Sequence, residues 1–383
     1  MSEDFKKKLE AYSNGELLQE EQVEIENELD KMEVYQSYLD NLVNTHDQEQ
    51  DNGTDRTKKQ KSLITRGKWR ARFQNAWTAL SILIIILFIG WGTSVIFYTW
   101  GEPADRSESY IDVIKATIET TQPNITVGSS GMNVGLFTMN YDAELRKWIG
   151  SDHETIGELD SKFLFNLSSI QLPDDIYQHP FFIYPEQQEQ LDPPGGFEVL
   201  ERLPEGTVSE LFISLSDYYE TNEILKKFEG ENMWPTWFAV DTGFEQKDEI
   251  RASEEPLGFP LNGYHFLSEY QFDSKNGEFI LKAFGGAAHS KSRKVYGDGE
   301  ERNEEFFKAL LLMKKYYSIA DDIHWSSEER LSEQIEYIDE NGTKIYGVVV
   351  NGPTKELLKL KDEDWVGSAV VGEKRLWNWR DVN

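Results

Sequence analysis

The 383-residue sequence contains no cysteine. That excludes disulfide scaffolds, thiolate zinc sites, iron–sulfur clusters and cysteine nucleophiles. Histidine is scarce: His46, His153, His179, His265, His289 and His324 are the whole complement, and no two stand in the H-E-x-x-H spacing of a zincin. No G-x-S-x-G elbow, Walker A loop or Rossmann glycine pattern occurs. Gly128-Ser-Ser-Gly-Met-Asn-Val-Gly135 lacks the Lys-Ser/Thr ending of a phosphate loop and reads as a hairpin. His289 and Ser290 are chain neighbours, which do not hold triad geometry in a loop. A glycosidase-type carboxylate pair stays open, because its members need not be close in sequence. No catalytic residue, metal ligand or cofactor is assigned. A formal charge of −30 opposes binding of polyphosphate, so no direct nucleic-acid partner is expected. With 13% aromatics, including 11 Trp, the chain is too rich in core-forming residues to be disordered.

The charge is unevenly distributed. Residues 1–55 carry 4 basic and 16 acidic side chains, whereas residues 56–72 carry 8 basic and none acidic. No charge occurs from Phe73 to Gly101. Within that stretch, the 22 residues of 77–98 would span about 33 Å as a helix, close to the hydrocarbon thickness of a bilayer. Trp77 at one end, and Tyr98 with Trp100 at the other, suit an aromatic belt. Ser81, Thr93 and Ser94 can bond back to helix carbonyls. The run starts too far from the N-terminus for a cleaved signal peptide. Lys58, Lys59, Lys61, Arg66, Lys68, Arg70 and Arg72 precede it and Glu102, Asp105 and Glu108 follow it. The positive-inside rule then places the N-terminus in the cytoplasm and the C-terminal part outside. The same basic residues would anchor the chain to anionic lipid, at about 1 kcal/mol each. A large external part without cysteine fits a Gram-positive surface.

Residues 3–45 read as a short helix, a stop at Ser13-Asn14-Gly15 and a longer helix from Leu17 to Val43. Phe5, Leu9 and Tyr12 give the first its apolar spacing. Ile25, Leu29, Met32, Leu39 and Val43 stripe the second, with Tyr35 and Tyr38 beside them. Glu20, Glu21, Glu24, Glu26, Glu28, Asp30 and Glu33 crowd its other faces. So small a unit buries little apolar surface by itself. The stripe therefore meets a partner protein, or closes on the first helix or on a second copy; both remain open from the residues alone.

The string Tyr12-Ser-Asn-Gly-Glu-Leu17, followed by Glu20-Glu21 and Ile25-Glu-Asn-Glu-Leu29, resembles the opening of bacterial anti-sigma domains. The family pattern continues with a His-x3-Cys-x2-Cys zinc site, and this chain has Glu28, Met32 and Tyr35 at those positions. The resemblance thus implies a zinc-free variant whose helix pair is held by packing of Met32 and Tyr35. With the single N-in span and the segment 348–357 near the C-terminus, the layout resembles the sigma-factor-regulator family of low-GC Gram-positive bacteria. The resemblance is greatest to negative regulators of sigma-M-type extracytoplasmic-function sigma factors. It implies that the helical head clamps a sigma factor at the membrane. Tyr12, Leu17, Ile25, Leu29, Met32, Tyr35 and Leu39 would serve as anchors, and Glu20, Glu24 and Glu28 as acidic steering groups. Acidic amphipathic helices also suit a basic, DNA-binding partner on physical grounds.

The expected fold is α+β, in five segments. Residues 1–55 form a cytoplasmic helical head, 56–76 a basic juxtamembrane segment and 77–98 a transmembrane helix. Residues 99–200 form a membrane-proximal region and 201–383 an external α+β domain. In 99–200, residues 110–118 read as helix or strand, 125–128 and 134–141 as strands, and 174–196 as a turn-rich bridge. Beyond it, strands at 208–216, 236–241, 344–350 and 366–371 alternate with helices at 218–228 and 354–360 in two β-α-β passages, with Thr354 as a helix N-cap. A helix at 304–319 covers the sheet. Trp234, Trp237, Trp325, Trp365, Trp377 and Trp379 read as core, with Trp377-Asn-Trp-Arg380 as a candidate protein contact. The whole reads as a membrane-bound, non-enzymatic anti-sigma factor that releases its sigma factor on an envelope signal. A second membrane protein is a further expected partner. The alternatives are a tethered envelope enzyme and a structural subunit of an envelope complex.

Overall fold

The computed structural model describes residues 11–12, 19–46, 54–100, 105–173, 176, 182–189, 195–243, 255–267, 270–273, 278–281, 294–324 and 327–380. Phe5, Leu9, Ser13-Asn14-Gly15, Leu17, His289, Ser290 and Trp325, for which the sequence raises expectations, lie outside them, as do parts of the turn-rich bridge. The chain divides into two compact units, Met1–Ile84 and Ile85–Asn383.

The first unit contains helix α1 (Gln19–His46) and the N-terminal part of α2 (Thr54–Thr99), a 46-residue helix. The basic segment and the apolar run are therefore one continuous helix, and its Lys68–Thr99 portion is long and apolar enough to cross a membrane. Its hydroxyls turn inward as expected: Ser81 Oγ donates to the Trp77 carbonyl at 2.9 Å and Thr93 Oγ1 to Ile89 at 2.8 Å.

The second unit is α+β. Helix α3 (Arg106–Thr121) is followed by an antiparallel meander of β1 (Ile125–Val134), β2 (Thr138–Ile149), β3 (Asp152–Leu164) and β4 (Leu167–Gln171). After α4 (Gly196–Arg202) come β5 (Thr207–Tyr219), α5 (Thr221–Lys226), β6 (Trp234–Val240) and β7 (Gly258–Pro260). A small ribbon pairs β8 (Tyr270–Asp273) with β9 (Glu278–Leu281). Helices α6 (Gly299–Lys315), α7 (Tyr317–Ile323) and α8 (Glu328–Asn341) precede β10 (Ile345–Pro353), α9 (Thr354–Leu357) and β11 (Val366–Leu376). The second sheet has the order β11-β5-β10-β6-β7, each strand antiparallel to its neighbours.

Central strands covered on both faces read as continuous apolar runs. Every residue of β10 is buried, as are the first nine of β5. On one face Ile213, Leu215, Val348 and Val350 join Ile118 of α3 and Leu310 of α6. On the other, Phe212, Trp237, Tyr346 and Val349 pack with Phe182 and Tyr184 from the bridge.

Several expectations are corrected. The Gly128–Gly135 segment is strand β1 up to Val134, bulged between Val127 and Ser130, and not itself the hairpin turn. The strand expected at 134–141 straddles that turn, which falls at Gly135-Leu136-Phe137. The helix expected at 218–228 is shorter, because β5 continues to Tyr219 and the Glu223 carboxylate accepts the Glu220 N–H at 3.1 Å as α5 begins. The helix at 304–319 starts earlier and breaks at Tyr316. Thr354 is not an N-cap: it stands inside α9, and its hydroxyl donates to the Thr207 carbonyl at 3.1 Å.

Ser327 does cap α8, its hydroxyl accepting the Arg330 N–H at 3.0 Å. Ser327→Ala is expected to cost about 1 kcal/mol, readable as a lowered denaturant midpoint with an unchanged slope.

Candidate functional site

Helix α1 is a long amphipathic rod whose apolar stripe is largely uncovered. Ile25 is 2% exposed, but Leu29 is 37% and Tyr35 65% exposed, and Met32 and Leu39 are exposed as well. The expectation that Met32 and Tyr35 pack to hold the helix pair is therefore corrected: both project outward. Glu26, Glu28, Asp30 and Glu33 are exposed on the same helix. Glu20 and Glu24 belong to it too. The Tyr12 hydroxyl donates to Glu26 Oε1 at 2.9 Å, and that carboxylate raises the phenol above its ordinary pKa. Val23 and Val34 are also exposed, off the expected stripe. Their spacing from Leu29 broke the pattern that sequence reading follows. Apolar residues in water with interspersed carboxylates are a surface on which a partner helix could be seated.

The residues expected to form a basic anchor, Lys58, Lys59, Lys61, Arg66, Lys68, Arg70 and Arg72, all lie on α2. Lys68, Arg70 and Arg72 are exposed, with Trp69 and Phe73 exposed beside them.

In the second unit, α3, β2, β3 and β6 surround a cleft of about 220 Å³ lined by Glu119, Asn124, Trp148, His153, Trp234, Trp237 and Phe266 among others. Trp237 Nε1 donates to the Glu119 carbonyl at 2.9 Å, fixing α3 against β6. The Glu119 carboxylate is buried, and its Oε1 accepts one N–H, from Val127 at 3.3 Å. Burial pushes its pKa up to about 7 against the pull of that bond and of Lys115. His153 is held below its ordinary pKa by burial, then by Arg146. The cleft offers aromatic walls, an amide and a carboxyl whose charge changes near neutral pH. Nothing in the local sequence marks Glu119, which only folding takes out of water.

A buried ion pair ties the two sheets together. Lys147 Nζ of β2 lies 2.8 Å from Glu210 Oε2 of β5, both side chains fully buried. Glu373 of β11 approaches Lys147 at 3.4 Å and donates its own N–H to Glu210 at 3.2 Å. Asn124 Nδ2 completes the cluster, donating to Glu210 Oε1 at 2.7 Å and to the Trp148 carbonyl at 2.8 Å. Of the tryptophans read as core, Trp237, Trp365 and Trp379 are buried, whereas Trp377 is exposed.

Comparison with known proteins decides what kind of chain presents these features. Residues 61–153 match a family described as sigma factor regulator N-terminal, and residues 200–373 match sigma factor regulator C-terminal. The chain belongs to the sigma-factor-regulator family. It is also 30% identical over 391 aligned residues to a protein named probable anti-sigma-M factor YhdL of Bacillus subtilis (strain 168), covering 99% of this chain and 100% of that one. No solved structure matches the chain. In this regulator the N-terminal family match takes in most of α2, α3 and the first two strands, and the C-terminal match takes in the second sheet up to β11. Helix α1 lies outside both.

Proposed function

We propose that this sigma-factor regulator is a membrane-bound negative regulator. It holds an extracytoplasmic-function sigma factor of the sigma-M type at the inner face of the membrane and releases it on an envelope signal. The observation that carries the reading is the identity, along the whole chain, to a relative named for anti-sigma-M action. Helix α1 supports it from the physical side, with Leu29, Met32, Tyr35 and Leu39 exposed among carboxylates. Leu29, Met32, Tyr35 and Leu39 would anchor the partner, with Tyr12, Leu17 and Ile25 supporting the head, and Glu20, Glu24 and Glu28 would steer it.

In this reading residues 1–55 are the cytoplasmic head, 56–76 the lipid-facing basic segment and 77–98 the span. Residues 99–200 and 201–383 lie outside, the latter sensing or docking. Basic residues before the span and acidic ones after it support that orientation. The role is regulatory, with no chemistry assigned to the cleft, and a second membrane protein is a further partner of the external part. We read β5-α5-β6 and β10-α9-β11 as two interleaved β-α-β passages, each with a strand of the other between its own two.

Deleting residues 1–50 is expected to derepress transcription from the cognate sigma factor's promoters. Leu29→Asp with Leu39→Asp should weaken sigma-factor capture about tenfold to hundredfold, since each leucine has roughly a third to a half of its surface left to bury. Unchanged capture by the double variant would show that the sigma factor binds elsewhere. Unchanged transcription after the deletion would favour the tethered-enzyme alternative.

A further inference from the structure

Gly90, Ser94 and Tyr98 follow at four-residue steps and share one face of α2. All three are buried, while Ile89, Trp91 and Ile96 around them are exposed. What covers them is one end of the first sheet. A Cβ on Gly90 would stand 2.6 Å from Leu136 Cδ1 and 2.8 Å from Phe137 Cζ, so a larger residue would have to push the tips of both side chains aside. The Phe137 N–H donates to Ser94 Oγ at 2.6 Å and the Phe165 N–H to the Tyr98 hydroxyl at 2.8 Å. That hydroxyl in turn donates to the Phe163 carbonyl at 3.2 Å. Thr138 pairs with Leu164, and Leu164 with Leu167, so the β1–β2 and β3–β4 turns stand side by side at this end.

We propose that these two turns dip into the outer leaflet of the bilayer beside the helix they clasp, so that the external domain grips lipid as well as its own span. The proposal rests on the reading of α2 as that span. Depth follows from helix geometry. Gly90 precedes the exposed Trp100 by ten residues, about 15 Å along the axis and on the membrane side of that aromatic end. A group touching Gly90 therefore lies at the headgroup–acyl boundary or below it, where amphipathic elements settle.

The surface chemistry agrees. Leu136 is 42% and Leu167 69% exposed, with Met132 and Leu164 exposed next to them. No charged residue occurs in 125–141 or 163–172, in a chain that is 28% charged; one carboxylate from outside them, Asp322 of α7, meets the second turn by accepting from Ser168 Oγ at 2.5 Å, and Asp152 and Glu154 mark the opposite end of the sheet. The backbone agrees too. An unpaired N–H is not tolerated in hydrocarbon, and the amides of Phe137 and Phe165 are met by hydroxyls of the helix instead of being left to water. Both phenylalanines adopt positive φ (61° and 55°), where glycine or asparagine would be the easy choice in a solvated turn. Their rings instead face one another at 6.0 Å, with Phe97 of α2 5.0 Å from Phe165.

The absence of native cysteine makes the test direct. Single variants Leu136→Cys, Leu167→Cys, Ile85→Cys and Glu340→Cys of the full chain would each carry an environment-sensitive fluorophore, in vesicles containing lipid with a nitroxide near the headgroup or near the chain end. Labels at positions 136 and 167 are expected to lose about half their fluorescence or more to the headgroup-proximal nitroxide, as interfacial groups do. Position 85 should respond to the deep nitroxide, and position 340 only to aqueous iodide. Quenching at 85 with iodide-only quenching at 136 and 167 would overturn the proposal and leave the span intact. Iodide-only quenching at 85 as well would remove the span reading itself. Leu167 makes the test robust to misfolding at position 136, since its side chain stands mostly free of protein packing.

Discussion

Replacing Lys147 with methionine is expected to destabilise the second unit by about 3–5 kcal/mol, because it strips a fully buried carboxylate of its counter-ion. Methionine fills nearly the same volume, so cavity formation contributes little. What remains is Glu210, still accepting from Asn124 and from the Glu373 N–H but with no cation beside it. The nearest other charge, Glu373, is of the wrong sign. Combining Lys147→Met with Glu210→Gln should recover part of the loss: the buried charge is gone, but the amide has one oxygen, so it keeps one of the two bonds accepted by Oε1 and Oε2 and turns its NH2 toward the other donor. Denaturant unfolding of the detergent-solubilised chain, followed by tryptophan fluorescence, measures both. A double variant as unstable as the single one would mean that packing, and not charge, dominates this junction. The junction matters because β2 belongs to the meander that clasps α2, while β5 belongs to the sheet at the centre of the larger core. The ion pair is thus one of the bonds through which a load on the second sheet would reach the helix.

What could be read from the sequence follows from how locally each feature is determined. The apolar helix was legible because a bilayer demands an uncharged run of fixed length, and residues 77–98 supply it. Strands β5, β6, β10 and β11 were legible because each places a short apolar run between turn residues. Their order in the sheet was not, since pairing is set by contacts far apart in the chain. The turn at Gly135-Leu136-Phe137 was hidden because its residues are apolar: they face α2, so the polar marking of a solvated turn is missing. Thr354 misled because its hydroxyl has a better partner in Thr207 on another strand than in its own helix. Met32 and Tyr35 were expected to pack because family position stood in for geometry. Glu119, Lys147 and Glu210 look like any of the 69 acidic and 39 basic residues of the chain, and only folding takes them out of water. On α1 the structure adds the exposure of Leu29, Met32, Tyr35 and Leu39.

Glu119→Gln is expected to stabilise the protein by about 3 kcal/mol above pH 7 and to have almost no effect near pH 4, the difference following from a carboxyl pKa raised from 4.5 to about 7. Between those values the folded state keeps a proton that the unfolded chain has released. The folded state therefore binds more protons, and stability falls as pH rises through this window. Below about pH 4.5 both states are protonated and the contribution is fully present. Above about 7 both are ionised and it is fully lost. Glutamine mimics the protonated carboxyl at every pH, so the variant should lack this slope. The surroundings favour a clean reading. Lys115, one turn away on α3, is the cation that acts on Glu119, and Tyr141 and Tyr264, which feel its charge, titrate far above the window. His153, across the cleft, has its pKa lowered by burial and then by Arg146, and its contribution is common to both proteins and cancels in their difference. Unfolding free energies of the two proteins at pH 5 and pH 8 decide the matter. An equal gap at both would show that Glu119 does not carry the titration, and a gap opening only toward pH 8 would tie α3, and the aromatic cleft it lines, to ambient pH.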